Sequence, residues 1–237
     1  MKPATWVVCI MGIAAVATAG TSDDDAIRTA VEKRLERARI ATAVEVDEGV
    51  VTLTGKLRSL WAKNEAVART LRVSDVVAVE DEIEIAFGES DEKVGEAIAK
   101  AINRYPFFTV YDDVNIGIDE GHVVLTGRVT MPFKSDDLET RVSKVMGVQS
   151  LDNAILTLPT NIGDQRIRAN LAYRIYSNSL FREYGFRANP PIHIIVERGR
   201  VALTGAVRSL VEKAQAEHIA RSTFGVFAVD NRLTVGD

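Results

Sequence analysis

The octet EGVVTLTG, residues 48–55, recurs as EGHVVLTG at residues 120–127 and as RGRVALTG at residues 198–205. The copies begin 72 and then 78 residues apart, a period typical of a repeated folding unit rather than of a repeated short motif. Apolar and polar residues alternate within each octet, as they do in a strand that buries one face. The sequence therefore predicts three tandem copies of one small domain, which we call the first, second and third repeats.

A second alternating run precedes each octet, with a glycine at a fixed place between the two runs. Glycine adopts the positive φ that a tight hairpin turn requires, so each repeat is predicted to contain a β-hairpin. The second strand of each hairpin should end at the octet's final glycine. We interpret the turn and strand-end glycines, with two more where a second helix should stop, as structural: Gly49, Gly55, Gly121, Gly127, Gly147, Gly199, Gly205 and Gly225.

Helical periodicity flanks every hairpin. Apolar residues recur every four positions before it, as in Ile27, Val31 and Leu35, and a second helical segment and a third strand follow it. Acidic and polar residues that precede or begin each first helix are interpreted as N-terminal caps: Ser22 to Asp25, Ser90 to Glu92, and Asn161 to Asp164. The order α-β-β-α-β predicts an α+β fold in which two helices cover one face of a three-stranded sheet. We expect repeats at 20–88, 89–160 and 161–237.

The first residues are typical of a secretory signal. Lys2 precedes an apolar run from Trp6 to Val16, and the small residues Ala17-Thr18-Ala19 follow. The alternative is a membrane anchor, but the run is shorter than the ~20 residues that span a bilayer. We expect export, cleavage of residues 1–19 after Ala19, and a mature chain without a transmembrane segment. Cleavage would remove Cys9, the sole cysteine, so disulfides cannot stabilise the mature chain.

Charge and size divide the repeats further. The first has 10 Lys and Arg against 14 Asp and Glu, the second 7 against 12, and the third 11 against 7, with ten of those eleven being Arg. A formal net charge of −4 therefore conceals a basic third repeat beside two acidic ones. A domain of about 70 residues has a marginal core, so we expect the repeats to pack on one another or on a partner.

The sequence contains no catalytic or metal-binding motif with a recognisable spacing. His122, His193 and His218 are scattered, and no nucleophile, phosphate-loop or dinucleotide motif occurs. Caps and solvated turns account for the carboxylate clusters. We therefore predict no enzymatic activity, no metal and no cofactor.

The helix, the G-x-V-x-L-x-G hairpin, the second helix and a final G-V-x-x-V-x-N-x-L strand together resemble the BON domain of bacterial osmotically induced and nodulation proteins. Gly147-Val148 with Asn153 and Gly225-Val226 with Asn231 carry the final motif, whereas Asp75 replaces the glycine in the first repeat. The resemblance implies a periplasmic, non-catalytic protein with affinity for phospholipid membranes and a link to osmotic or envelope stress.

Aromatic residues concentrate in two stretches, RYPFFTVY at 104–111 and YRIYSNSLFREYGF at 173–186. They could fill the end of each core or the seam between repeats, or they could contact a bilayer headgroup region or a partner protein. Basic residues accompany the second stretch. The candidate contact residues are Phe107, Phe108, Tyr111, Phe181, Arg182, Tyr184, Phe186 and Arg187.

Two functions remain open at this point. The first is a periplasmic protein whose basic third repeat binds the surface of anionic phospholipid membranes. The second is a scaffold or adaptor that joins proteins of an envelope complex. An export signal argues against nucleic acid as the partner of the basic repeat. Salt should separate the two functions, because headgroup binding weakens as ionic strength rises.

Overall fold

The computed structural model describes residues 21–86, 90–187 and 189–236, without the side chains of Thr21 and Ser22. The expected signal peptide lies outside the described residues. The chain divides into two compact bodies, one formed by residues up to 55 with 66–82 and the other by residues 56–65 with 83 onward. The first body contains most of the first repeat, and the second contains the second and third repeats.

The first repeat has the predicted order of elements. Its hairpin strands β1 and β2 pair antiparallel, and β3 is the other neighbour of β2. Ile27, Val31 and Leu35 are buried, which confirms the predicted apolar face of the first helix. The elements are α1 (Thr21–Arg37), β1 (Ala43–Asp47), β2 (Val50–Leu57), α2 (Leu60–Thr70) and β3 (Ala78–Ile85).

The second repeat follows the same plan, with β4 antiparallel and β6 parallel to the central strand β5. Val94, Ile98 and Ile102 pack from the first helix onto core residues of β5 and the second helix. Each fully buried aliphatic side chain contributes about 1.5–3 kcal/mol to the free energy of folding. The elements are α3 (Asp91–Asn103), β4 (Asp113–Asp119), β5 (His122–Val129), α4 (Pro132–Ser143) and β6 (Ser150–Thr157).

The third repeat adds a short helix, α6, and divides its last strand into β9 and β10, both parallel to β8. The third repeat has its own hydrophobic core, which includes Leu171, Ile194 and Leu203. The elements are α5 (Ile162–Tyr176), α6 (Arg182–Gly185), β7 (Ile192–Glu197), β8 (Arg200–Val207), α7 (Leu210–Arg221), β9 (Ala228–Asn231) and β10 (Thr234–Val235). The predicted α+β fold of three α-β-β-α-β repeats is confirmed. Each central strand, however, extends two residues beyond the octet's final glycine, where its end was predicted, because the apolar alternation continues to the buried Leu57, Val129 and Val207.

One aspartate per repeat joins the start of the first helix to the hairpin turn. A carboxylate oxygen accepts a hydrogen bond from the backbone N–H of the turn glycine: Asp24 from Gly49 at 3.0 Å, Asp91 from Gly121 at 3.0 Å, and Asp164 from Gly199 at 2.8 Å. The preceding residue of each turn, which has a positive φ, donates to the other oxygen. These acids do more than the helix capping that the sequence suggested.

The capping predictions have different outcomes. Asn161 does cap α5, because its side-chain oxygen accepts from the N–H groups of Gly163 and Asp164. Ser90 occupies the N-cap position of α3, and the acids Asp91 and Glu92 lie in its first turn, but the Ser90 side chain makes no capping hydrogen bond. The side chain of Ser22 lies outside the described residues.

The asparagine of the final motif joins the third strand to the second helix. Asn153 donates through Nδ2 to the carbonyl oxygen of Ser135, and its oxygen accepts from the N–H of Ile155. Asn231 makes the equivalent contacts with Lys213 and Leu233. An asparagine suits this position because one amide both donates and accepts.

Candidate functional site

Two members of the first aromatic stretch lie in the seam between the second and third repeats. Tyr111 packs against the core of the third repeat, and the Phe108 ring lies 5.5 Å from the ring of His193. The carbonyl oxygen of Val110 accepts a hydrogen bond of 2.6 Å from the N–H of Ile194, on the outer edge of β7. Phe108 and Tyr111 are therefore half-buried and hold the two repeats together.

Polar contacts reinforce the same seam. The hydroxyl of Thr204 donates to a carboxylate oxygen of Asp113 at 2.8 Å, and Arg128 forms an ion pair of 3.3 Å with Glu197. The expectation that small repeats pack on one another is met for these two repeats. Phe107 alone of the four aromatic residues is well exposed, at 57%, and its ring packs edge-on against Tyr105 and Phe133.

The structure corrects two of the candidate contact residues in the second stretch. Phe181 and Tyr184 are buried in the core of the third repeat, with their ring centroids 6.2 Å apart. The short helix α6, which the sequence did not indicate, turns both rings inward. They therefore anchor the loop and are unavailable to a membrane or a partner in this fold.

A buried hydrogen-bond network holds this loop on α7. The Tyr184 hydroxyl donates to a carboxylate oxygen of Glu212 at 2.7 Å, and the backbone N–H of Arg208 donates to the same oxygen at 2.8 Å. Burial would raise the pKa of Glu212, but these hydrogen bonds and the nearby guanidinium outweigh it and hold the pKa below its usual value. Burial and the carboxylate both raise the pKa of Tyr184, which stays a hydrogen-bond donor.

A basic surface adjoins this network and includes one of its members, Arg208, whose guanidinium also pairs with the exposed Glu183 at 3.0 Å. The guanidinium groups of Arg187 and Arg208 lie 5.3 and 5.0 Å from the centroid of the Tyr184 ring, so the ring orders both. Arg182 is exposed, and Phe186 is 84% exposed. We call Arg182, Phe186, Arg187 and Arg208 the loop-end surface.

A second exposed aromatic group, which the sequence analysis missed, lies between α7 and β9. Phe224 and Phe227 are 94% and 85% exposed and flank Gly225-Val226. The N–H of Phe227 donates to the carbonyl oxygen of Gly199 at 2.9 Å, and the Phe227 ring lies against Gly199, which follows the exposed Arg198 in the hairpin turn. We call Arg198, Phe224 and Phe227 the turn-end surface. Phenylalanine on both sides of the Gly-Val pair was the available signal.

The buried ionisable groups of the second repeat serve the fold. The expectation that Asp112-Asp113 is a solvated turn is wrong for Asp112, which is fully buried. It accepts from Lys134 Nζ at 2.7 Å and from the N–H groups of Thr109 and Thr130 at 2.8 Å each. Burial opposes ionisation, yet these donors hold the pKa of Asp112 below its usual value. Within the described ranges, no cluster of His, Asp or Glu could hold a metal ion, and no helix is long and apolar enough to cross a membrane.

Comparisons with known proteins identify one family. A model of the BON domain matches residues 23–86, 90–159 and 164–237. Two structures of CdsD, a structural protein of the type III secretion system of Chlamydia trachomatis, one of them its C-terminal domain, each show 17% identity and a TM-score of 0.27. The match covers 87% of this chain and 96% and 91% of theirs, but so low a TM-score supports no functional inference. No curated protein matches the chain.

Proposed function

Because the chain belongs to the BON domain family over three tandem copies, we propose that its third repeat binds the surface of anionic phospholipid membranes. Family membership supports the broader description of a non-catalytic protein associated with the periplasm or cell envelope. The proposal includes export with cleavage after Ala19, which the intact mass of periplasmic material would check. It also includes a link to osmotic or envelope stress, which predicts that the protein's abundance rises after an osmotic upshift.

The turn-end surface carries the proposal. Phe224 and Phe227 project almost wholly into solvent. Projecting rings fit a fluid interface, which needs no complementary pocket, and aromatic rings favour the headgroup level of a bilayer. The exposed Arg198 precedes Gly199, whose carbonyl oxygen accepts from the N–H of Phe227, and a guanidinium pairs bidentately with phosphate oxygens. Rings and cation together suit an anionic headgroup region.

Charge restricts the binding to one repeat. The third repeat has an excess of basic residues, whereas the first two have an excess of acidic ones and are repelled by an anionic surface. Each well-placed arginine contributes about 1 kcal/mol at such a surface. Because the patch is small and lacks a second anchor, binding should be modest and reversible. The loop-end surface, with Arg182, Phe186 and Arg187, is a second proposed contact.

Vesicle co-sedimentation tests the function. The mature chain should sediment with vesicles of phosphatidylglycerol and phosphatidylcholine at low ionic strength, and high salt should release it. Vesicles of phosphatidylcholine alone are the control and should bind much less. Equal binding to both vesicle types, or binding that salt does not weaken, would contradict an anionic headgroup as the partner.

A scaffold function is the alternative, and one observation favours it. The outer face of the first sheet carries the exposed acids Glu45, Asp47, Glu80 and Glu82, which an anionic membrane repels. A protein partner with basic residues would suit this face better. Absence of lipid binding combined with capture of an envelope protein through this face would favour the scaffold.

A further inference from the structure

The outer face of the first sheet is a continuous acidic surface. Side chains alternate along each strand, so Val44, Val51 and Leu53 point into the core while their neighbours face outward. Glu45 pairs in register with Thr52, whose hydroxyl lies 3.5 Å from Glu80, and these residues form one row across three strands. We call Glu45, Asp47, Glu80 and Glu82 the acidic face. All four are exposed.

The outer face of the third sheet contains a groove with the opposite charge. Its cavity volume is about 470 Å³, and Ile195, Ala202 and Ala228 contribute apolar surface to it. Four arginines line it as well: Arg128, Arg198, Arg200 and Arg232. We call this the arginine groove. Arg128 pairs with Glu197 at 3.3 Å and Arg232 with Asp230 at 2.6 Å.

Arg198 and Arg200 give the groove its surplus of positive charge, and Arg200 lies on the strand β8 itself. The Arg200 side chain is exposed, and it contacts no carboxylate in the ranges that the structure describes. Val201, the next residue along β8, is buried in the core, so alternation directs Arg200 to the outer face. A guanidinium without a partner above an apolar floor is suited to a carboxylate from outside.

We propose that the acidic face of one copy of the chain docks in the arginine groove of a second copy. The strand β3 is at the edge of its sheet, so its glutamates are accessible from the side. Glu80 and Glu82 lie two residues apart, about 6.6 Å along a strand, and both project from the same face. Glutamate and arginine side chains are long, so these two carboxylates can approach Arg200 and Arg232 while the apolar surface of the groove is covered.

The two surfaces differ, so the contact is heterologous. A heterologous contact leaves one free acidic face and one free groove at the ends of every assembly, and open chains follow when the rotation does not close. Exposed ion pairs are individually weak and are screened by salt. The assembly should therefore grow with concentration at low ionic strength and dissociate at high ionic strength. This inference does not rest on the proposed lipid binding, although Arg198 of the turn-end surface also lines the groove.

Sedimentation velocity on the mature chain tests the proposal. The weight-average mass should rise with protein concentration at low ionic strength and return to that of a monomer at high ionic strength. Two neutralising variants, Glu80→Gln/Glu82→Gln and Arg200→Gln/Arg232→Gln, should each stay monomeric alone. Their equimolar mixture should form a dimer and grow no further, because only one intact pair of surfaces remains.

Controls separate this contact from other causes. Glu32→Gln/Glu36→Gln removes two exposed acids from α1 and should leave assembly unchanged. Phe224→Ser/Phe227→Ser removes the rings proposed to contact lipid and should also assemble normally. The assembly test therefore stands even if the lipid-binding proposal fails. A wild-type chain that stays monomeric, an assembly that survives either neutralising variant, or a mixture that stays monomeric would overturn the proposal.

Discussion

The second and third repeats share the backbone plan but differ in the loop between the second helix and the third strand. Met146 and Gln149 flank Gly147-Val148 in the second repeat, whereas Phe224 and Phe227 flank Gly225-Val226 in the third. The inner positions of the motif are alike because they close the same fold. The outer positions face solvent, and only the third repeat places two large rings there. Functional differences between the repeats are therefore expected at solvent-facing positions where their sequences differ.

The same two repeats hold their loops with different buried carboxylates. Asp112 receives a lysine and two backbone N–H groups, whereas Glu212 receives a tyrosine hydroxyl, a backbone N–H and a half-exposed arginine. Lys134 and Glu212 occupy the same position in their helices relative to the octet. A buried carboxylate holds a loop in both repeats, but the groups that donate to this carboxylate differ between them.

The largest expected effect is on stability, from Gly205→Val. Gly205 and its counterpart Gly127 have φ of 99° and 129°, and a Cβ at either would collide with a backbone carbonyl, that of Pro191 or Asp113. A β-branched residue should destabilise the fold by roughly 3 kcal/mol or more. Circular dichroism should show a melting temperature lower by on the order of 10 °C.

Gly236→Val is the matched control, since a Cβ there would meet no atom within 4 Å. It should leave the melting temperature unchanged. Normal stability of Gly205→Val with lost vesicle binding would instead indicate that this glycine belongs to a ligand site.

The next effect separates the two buried carboxylates. Lys134→Met leaves Asp112 buried without its cation and should destabilise the protein by about 3 kcal/mol, as removal of one partner of a buried ion pair does. Arg208→Met should have a much smaller effect, because Glu212 keeps the Tyr184 hydroxyl and Arg208 is half-exposed. Urea unfolding of both variants gives the comparison. An equal decrease in the free energy of unfolding for both variants would mean that the two networks depend equally on their cations.

Acid should weaken both networks. Each carboxylate has a folded-state pKa below its unfolded value, so its contribution to stability is complete above the unfolded pKa, about 4, and is lost as pH falls through the folded pKa. The difference in melting temperature between the wild type and Asp112→Asn should therefore shrink between neutral pH and pH values near 3. A difference that stays constant over that range would count against a lowered pKa for Asp112.

Periodicity was enough to predict the helices, the hairpins and their order, because the buried faces of Ile27, Val31 and Leu35 and of the octets repeat in the sequence. The burial of Phe181 and Tyr184 could not be predicted, since α6 has four residues and too short a pattern to show a face. The sequence pattern placed Phe224 at the end of the second helix and Phe227 in the third strand. Their exposure depends on the turn at Gly225, whose φ is 88°.

The turn-end surface should dominate lipid binding. Phe224→Ser/Phe227→Ser removes both rings, and partial burial of each ring at an interface is worth about 1 kcal/mol, so partitioning onto phosphatidylglycerol vesicles should fall roughly thirtyfold. Met146→Ser is the matched control at the equivalent loop of the second repeat and should bind as the wild type does. If the control loses as much affinity as the double variant, the third repeat is not the contact.

The loop-end surface should contribute least. Arg182→Gln/Arg187→Gln removes two cations, but Arg187 rests on the Tyr184 ring and Arg208 remains beside it. Full loss of two well-placed charges would cost about 2 kcal/mol, and because only part of that charge can reach the headgroups, binding should fall roughly threefold to tenfold. The same vesicle assay at low and high salt measures this decrease in binding. The difference between the variant and the wild type should vanish at high salt. A loss larger than that of Phe224→Ser/Phe227→Ser would reverse the order of the two surfaces and place the main contact at α6.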